Sequence, residues 1–226
     1  MRVLALERRP SALVFDLDNT LYTNKAYADF QEEVLVERLG RELGIGTAAA
    51  KSRLAELREA RARAGLGSTS LGALFTTLGI GIETSVRWRE ECLEPGGWLV
   101  QDERLDLALG MLEKDFALAL VTNNPRLVGE KSLEALGLRH RFPVLIGLDD
   151  TLSSKPSKAP FVEVARRLGV EPGLCASIGD RVDVDLAPAM ELGMGAILVG
   201  GVEDVYRLPE LLSSFISAAN GPTVDP

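Results

Sequence analysis

The chain has 226 residues, 46% of them hydrophobic and 26% charged, with a formal net charge of -8. That length suits one large domain or one domain carrying an insertion, and the composition is that of a soluble globular protein with ample material for a core. The acidic balance argues against a nonspecific nucleic-acid binder, and no stretch is apolar for long enough to span a membrane, so neither is an expected partner.

Met1 to Pro10 holds a short apolar piece with charges at both ends. It lacks the long apolar core and small-residue cleavage site of a signal peptide, and the expected compartment is the cytoplasm. Residues 12–15, Ala-Leu-Val-Phe, form an uncharged run that fits a buried strand and leads into Asp16-x-Asp18-x-Thr20. In an open α/β fold, acids at the end of such a strand project where ligands bind. Two carboxylates that close repel unless a cation or a proton separates them, so the pair already points to a metal and to acid chemistry.

From about Thr23 to Leu93 the pattern predicts helices only: Asn24–Leu43, Thr47–Ala64, Ser70–Leu78 and Glu83–Leu93, punctuated by Gly44, Gly46, Gly65 and Gly67. Glu94-Pro95-Gly96-Gly97 is the clearest linker signal. Beyond it the pattern alternates: helix Arg104–Lys114, strand Phe116–Val121, helix Arg126–Leu136, strand Pro143–Gly147 and helix Pro160–Leu168. Strand Leu174–Ile178, helix Leu186–Leu192 and strand Ala196–Val199 follow, and about Ser217 to Pro226 reads as a frayed tail. Alternation of this kind implies an α/β fold with a parallel sheet covered on both faces. The expected organisation is a core of residues 1–22 and 95–226 interrupted, after its first strand, by a helical unit of residues 23–94 placed as a lid.

Three further polar clusters follow strand ends. Thr122 and Asn123 offer a hydroxyl and an amide to an anion's oxygens, and Lys155, in Ser-Ser-Lys-Pro, offers a point charge. Asp180, Asp183 and Asp185 crowd a strand-to-helix turn and offer the hard oxygen ligands that suit Mg²⁺. Carboxylates for a cation, a hydroxyl, a lysine and a lid together suit an electrophile with several negative oxygens, such as a phosphate ester. The expected partner is therefore a small-molecule phosphate ester.

The order Asp-x-Asp-x-Thr, hydrophobic-Thr-Asn, Lys-Pro and Gly-Asp-x-x-x-x-Asp resembles the haloacid dehalogenase-like hydrolase superfamily over residues 12 to about 200, and the helical insertion is similar to its subfamily I cap. The resemblance implies a doubly wound parallel sheet, a Rossmann-like core, with an α-helical cap domain. It implies Asp16 as nucleophile, Asp18 as general acid/base, Thr122 and Asn123 as phosphoryl binders and Lys155 as stabiliser of a phosphoaspartate. It further implies Mg²⁺ held by Asp16, the backbone carbonyl of Asp18 and Asp180, with Asp185 as a further ligand or an orienting acid. Dehalogenases of this family lack the second acid, since halide release needs no proton donor, so Asp18 favours a phosphatase of small monoesters such as a nucleotide, phosphoglycolate or sugar phosphate. A phosphomutase, a dehalogenase-like hydrolase and a non-catalytic binding module are the rivals, and the chain is expected to be a monomer or homodimer.

Other residues read more plainly. Asp183 reads as a solvated turn acid or helix cap, Asp149 and Asp150 as loop acids, and His140 as exposed. Lys158 is a weaker rival to Lys155, Arg181 a partner for nearby carboxylates, and Cys92 and Cys175 buried thiols of a reducing compartment. The Gly65–Ser70 break is as readily a helix connector as a loop facing the site.

Overall fold

The computed structural model describes residues 1–217, so positions 218–226 of the expected tail lie outside the described residues. Six strands form one sheet: β1 (Arg2–Ala5), β2 (Ala12–Phe15), β3 (Ala117–Val121), β4 (Val144–Ile146), β5 (Cys175–Gly179) and β6 (Gly195–Leu198), in the order β1-β6-β5-β2-β3-β4. All pairings are parallel except β1 with β6. The helices are α1 (Lys25–Glu42), α2 (Gly46–Arg63), α3 (Leu71–Thr77) and α4 (Ile82–Cys92), then α5 (Glu103–Leu112), α6 (Arg126–Ala135), α7 (Leu148–Thr151) and α8 (Ala159–Leu168). Three more follow late in the chain: α9 (Ala187–Met190), α10 (Val202–Val205) and α11 (Leu208–Ser217).

β2 is central, which explains its uninterrupted apolar run. Leu13 and Phe15 enter a core with Leu105, Leu109 and Leu112 of α5, while Ala12 and Val14 face the opposite core with Phe161 and Val164 of α8. Both faces are thus covered, each buried large apolar side chain contributing about 1.5–3 kcal/mol. The chain runs outward from β2 through β3 to β4 on one side and through β5 to β6 on the other. The carboxyl ends of β2 and β5 therefore flank the topological switch point, where ligands bind in open α/β sheets.

Helices α1 to α4 carry a core of their own, in which Leu35, Leu39, Leu54, Leu74, Phe75 and Trp88 pack together. α1 and α2 approach closely because Gly40 has no side chain: a Cβ there would lie 2.6 Å from the Gly46 carbonyl carbon. Asn24 ties the start of this helical unit to its end. Its side-chain oxygen accepts the Tyr27 N–H at 3.0 Å, capping α1, and its amide donates to the Trp98 carbonyl at 2.9 Å. The Trp98 ring stacks on Tyr27 and Phe30, with centroids 5.6 and 4.9 Å apart.

The helices α7, α10 and α11 are absent from the sequence-based expectation, and two further departures bear on the sheet and the site. β1 precedes the strand read as first; its outer residues are exposed, and it adds antiparallel to the sheet edge, so the helical unit follows the second strand. The helix expected from Leu186 begins instead as a π-turn over Val182–Leu186, continuing into α9. The widened turn carries Asp185 inward against Gly179, where a Cβ would lie 2.5 Å from the Asp185 Cβ. Single π-turns of this kind frequently mark functional sites.

Candidate active site

Asp16 leaves the end of β2 buried, and its carboxylate meets the ammonium of Lys155, which arrives from the loop before α8. Lys155 Nζ donates to Asp16 Oδ1 at 2.5 Å and to the Val121 carbonyl at 3.0 Å, and lies 2.7 Å from Asp185 Oδ1. Burial works against the Lys155 cation, but Asp16 and Asp185 outweigh it and hold the ammonium above the usual lysine value. Thr20 Oγ1 donates to Asp16 Oδ2 at 3.3 Å. The loop can turn here because Asn19 adopts φ 58°, a left-handed conformation asparagine tolerates.

The residues fit a divalent cation. Ligand oxygens of Asp16, Asp180 and Asp185 lie within 4.8 Å of one another. Asp180 Oδ1 is buried with no hydrogen-bond partner. Burial, with help from Asp185, Asp18 and Asp180 and against Lys155, pushes the Asp16 carboxyl up to about 7. Burial and Asp185 push Asp180 up to about 6, against Arg181 and Lys155. Three converging carboxylates around one buried ammonium leave surplus negative charge, and their all-oxygen donor set suits a hard cation.

Asp18 is placed quite differently. Its carboxylate lies outside the three-acid cluster and turns toward the helical unit. Oδ1 accepts from the Tyr22 hydroxyl and from Gln31 Nε2 at 2.9 Å, and Oδ2 accepts from Asn124 Nδ2 at 3.1 Å. Gln31 and Asn124 also bond each other at 3.2 Å. Asp18 still repels Asp16, but the tight carboxylate cluster is Asp16 with Asp180 and Asp185, because β2 ends at Phe15 and the loop diverges beyond it.

Thr122 is buried at the end of β3, and its hydroxyl accepts the Asn124 N–H at 3.1 Å. The Asn123 side chain grips the backbone of Lys155, accepting its N–H at 2.7 Å and donating to its carbonyl at 3.3 Å. Asn123 thus fixes the loop that delivers the lysine. A cavity of about 220 Å³ opens beside these residues, lined by Asp18, Asn123 and Asp180 from below and by Gln31, Ser70 and Arg89 from above.

Several minor residues resolve clearly. Asp183 Oδ2 accepts the Ser68 N–H at 2.8 Å, so the Gly65–Ser70 break faces the core, and Ser70 Oγ lies 3.1 Å from Ser154 Oγ. Asp183 therefore latches the helical unit, where it reads from sequence as a solvated turn acid. Asp185 is the inward acid, its Oδ2 accepting the Arg181 N–H at 3.0 Å. Arg181 Nε lies 3.7 Å from Asp180 and 3.8 Å from Asp185, as a partner for carboxylates should. Lys158 is spent on Glu191 at 2.7 Å. Asp149 and Asp150 are more than loop acids: Asp149 accepts the Arg126 N–H at 2.7 Å, capping α6, while Asp150 pairs with Arg126 and Arg167. His140 is exposed beside Asp106, Cys175 is buried, and Cys92 is only half-buried.

Sequence reasoning missed Tyr22, Gln31, Arg89 and Asn124. Asn124 alone had a signal, as the neighbour of Thr122 and Asn123 at a strand end. The other three sit in ordinary helical or turn contexts, and only packing brings them together.

The fold and the motif geometry agree with known proteins. The chain is 34% identical over 102 residues to the phosphoglycolate phosphatase of Chromobacterium violaceum, covering 44% of this chain and 46% of that protein. It is 41% identical over 83 residues to the phosphoglycolate phosphatase of Escherichia coli K12, covering 36% of this chain and 33% of that one. The matches thus span less than half the length of these curated relatives. Among solved structures, a HAD phosphatase from Thermococcus onnurineus superposes with TM-score 0.57 at 25% identity, over 89% of this chain and 97% of that one. The sequence model of the haloacid dehalogenase-like hydrolase family matches residues 10–193, and the chain belongs to that family.

Proposed function

We propose that this protein is a Mg²⁺-dependent phosphatase that hydrolyses a small phosphate monoester through an aspartyl-phosphate intermediate. Phosphoglycolate, the substrate named for the relatives above, belongs to this class, as do nucleotides and sugar phosphates. Among the described residues, 1–22 and 95–217 form the catalytic core and 23–94 the cap. The two free cysteines suit a reducing, cytoplasmic setting, and the protein acts as a monomer or homodimer. Among the described residues no helix is long and apolar enough to cross a membrane.

The single observation that carries the reading is the division of labour between Asp16 and Asp18. Asp16 faces a buried ammonium and two acids; among the described residues Asp18 accepts hydrogen bonds from neutral donors only. In the first step an Asp16 oxygen attacks phosphorus while the ester bond breaks, and Asp18, in its acid form, gives its proton to the departing oxygen. In the second step Asp18, now a carboxylate, takes a proton from water, whose oxygen attacks phosphorus and returns Asp16 as carboxylate. Lys155 holds Asp16 in place and faces the charge that builds up on the phosphoryl oxygens. The Thr122 hydroxyl and the backbone at Asn123 bind that group. Bound by Asp16, Asp180, Asp185 and the Asp18 carbonyl, Mg²⁺ would neutralise phosphoryl charge.

Turnover of an aryl phosphate and a metabolite panel with Mg²⁺ tests the reading. Asp16→Asn should lose about 10⁴-fold or more in kcat with its circular dichroism unchanged. Absence of wild-type turnover across the panel, with no binding of beryllium fluoride, would sink it.

A further inference from the structure

The roof of the cavity holds a cation that the chemistry above does not use. Arg89, on α4, is only 4% exposed, yet it lines the cavity that also receives Asp18 and Asp180. Its Nη1 donates to the Ser85 carbonyl at 3.1 Å and to the Ser85 hydroxyl. Those contacts lie one turn back on the same helix and occupy one nitrogen. Among the described residues no carboxylate pairs with Arg89, and its Nε and Nη2 have no protein acceptor. Burial lowers its pKa to about 10, with only Asp18 opposing, so it stays charged at neutral pH. Every other buried cation at this site has its counter-ion: Lys155 has Asp16 and Asp185. A buried guanidinium without one is costly, and anchoring a helical turn does not require it.

We propose that Arg89 is a specificity-determining residue that receives a carboxylate on the leaving group of the substrate. The inference rests on the phosphatase reading and narrows it to monophosphates of short hydroxy acids. With Nη1 held by Ser85, the free edge of the guanidinium is Nε with Nη2, whose parallel donors match two coplanar carboxylate oxygens. The cavity, at about 220 Å³, is smaller than the roughly 300 Å³ at which drug-sized pockets begin. It leaves room for a two- or three-carbon leaving group rather than a nucleoside. Phosphoryl recognition is supplied by the floor, from Lys155 and the acids' cation, so the roof cation answers to a different part of the substrate. Gly72 on α3 lies beside this edge: a Cβ there would lie in ordinary contact, 3.8 Å from Arg89 Nη2.

The test compares kcat/KM, with Mg²⁺, for 2-phosphoglycolate, its neutral isostere ethylene glycol monophosphate, and ethylene glycol bisphosphate. Wild type should favour the acid over the neutral ester by about 100-fold, and Arg89→Met should reduce that preference to about threefold or less, with Arg89→Lys in between. A wild type that does not distinguish the acid from the neutral ester, or an Arg89→Met enzyme that keeps the preference, overturns the assignment while leaving the phosphatase reading intact. Preference for the bisphosphate over the acid overturns the carboxylate. Should Arg89→Met fail to melt cooperatively, the wild-type ratio and Arg89→Lys decide. No wild-type turnover of any ester defeats the phosphatase reading instead. Glycolate binding, followed by NMR line broadening, then decides Arg89 separately: binding to wild type that weakens in Arg89→Lys supports it, and equal binding, or none to wild type, overturns it.

Discussion

Strands place the floor of the cavity and helices place its roof, and the two halves hold their charges differently. On the floor, Asp16, Lys155, Asp180 and Asp185 come from three separate segments, the last two sharing the turn after β5, yet the switch point between β2 and β5 brings their charged atoms together around one ammonium. On the roof, Gln31 and Arg89 arrive on α1 and α4, from a unit with its own core, and among the described residues no carboxylate pairs with Arg89. The floor is electrostatically crowded and the roof is not complete on its own. That difference fits a floor built for one recurring group, the phosphoryl, and a roof built for whatever is attached to it. Asp18 stands at the seam, belonging to the floor by backbone and to the roof by its bond to Gln31.

The comparison can be broken most forcefully at the seam. Asp18→Asn should lower kcat by about 10²–10⁴-fold for an alkyl phosphate, which needs a protonated leaving group. The loss should be smaller for an ester of an acidic phenol, which departs without a proton. Equal losses on both esters would remove the proton-transfer role. Next comes the floor's charge balance. Lys155→Met strands buried carboxylates and should destabilise the fold by about 3–5 kcal/mol in urea titration. Adding Mg²⁺ should restore part of that by binding the folded state alone. Stability indifferent to Mg²⁺ would argue that the three acids do not hold it.

The latch between halves should matter less. Asp183→Ala removes the bond to the Ser68 N–H, worth about 1 kcal/mol, and should raise KM a few-fold through a freer roof. Hydrogen exchange at residues 65–70 should rise at the same time; unchanged exchange would mean that other contacts hold the loop. Smallest is an effect below the site. Burial opposes the charged form of Asp150, but Arg126, the Gly147 N–H and Arg167 hold its carboxyl below the usual range. A depressed folded pKa means that this stabilisation is fully present above the unfolded carboxylate value and fades as pH falls through the folded one. Asp150→Asn should therefore flatten the acid limb of stability against pH below about 4 while leaving neutral-pH kcat nearly unchanged.

The same contrast governs what the sequence could reveal. Asp16, Thr122, Lys155 and Asp180 were legible because each follows a short apolar run or a turn, and strand ends in an α/β pattern converge whatever the loops do. Asp185 was legible by spacing, but its inward turn depends on a π-turn that periodicity does not announce. Gln31 and Arg89 were not legible. Gln31 stands among exposed acids on a helix, and Arg89 lies in Trp-Arg-Glu-Glu, which reads as a solvated stretch. Arg89 is buried because Trp88 and Phe75 pack edge to face at 5.9 Å and draw the face of α4 inward, a tertiary effect. β1 escaped for the converse reason: four residues, the first two exposed and the last two half-buried, carry no period to detect.

The account turns on Asp16 as the group that accepts the phosphoryl. Rapid acid quench of the enzyme during turnover of its best substrate with Mg²⁺, followed by peptide mass spectrometry, tests this directly. The account predicts a phosphoryl group on the peptide that contains Asp16, localised to Asp16 and absent in Asp16→Asn. A phosphoryl group on any other residue, or full turnover with no trapped phosphoprotein and activity retained in Asp16→Asn, would contradict it.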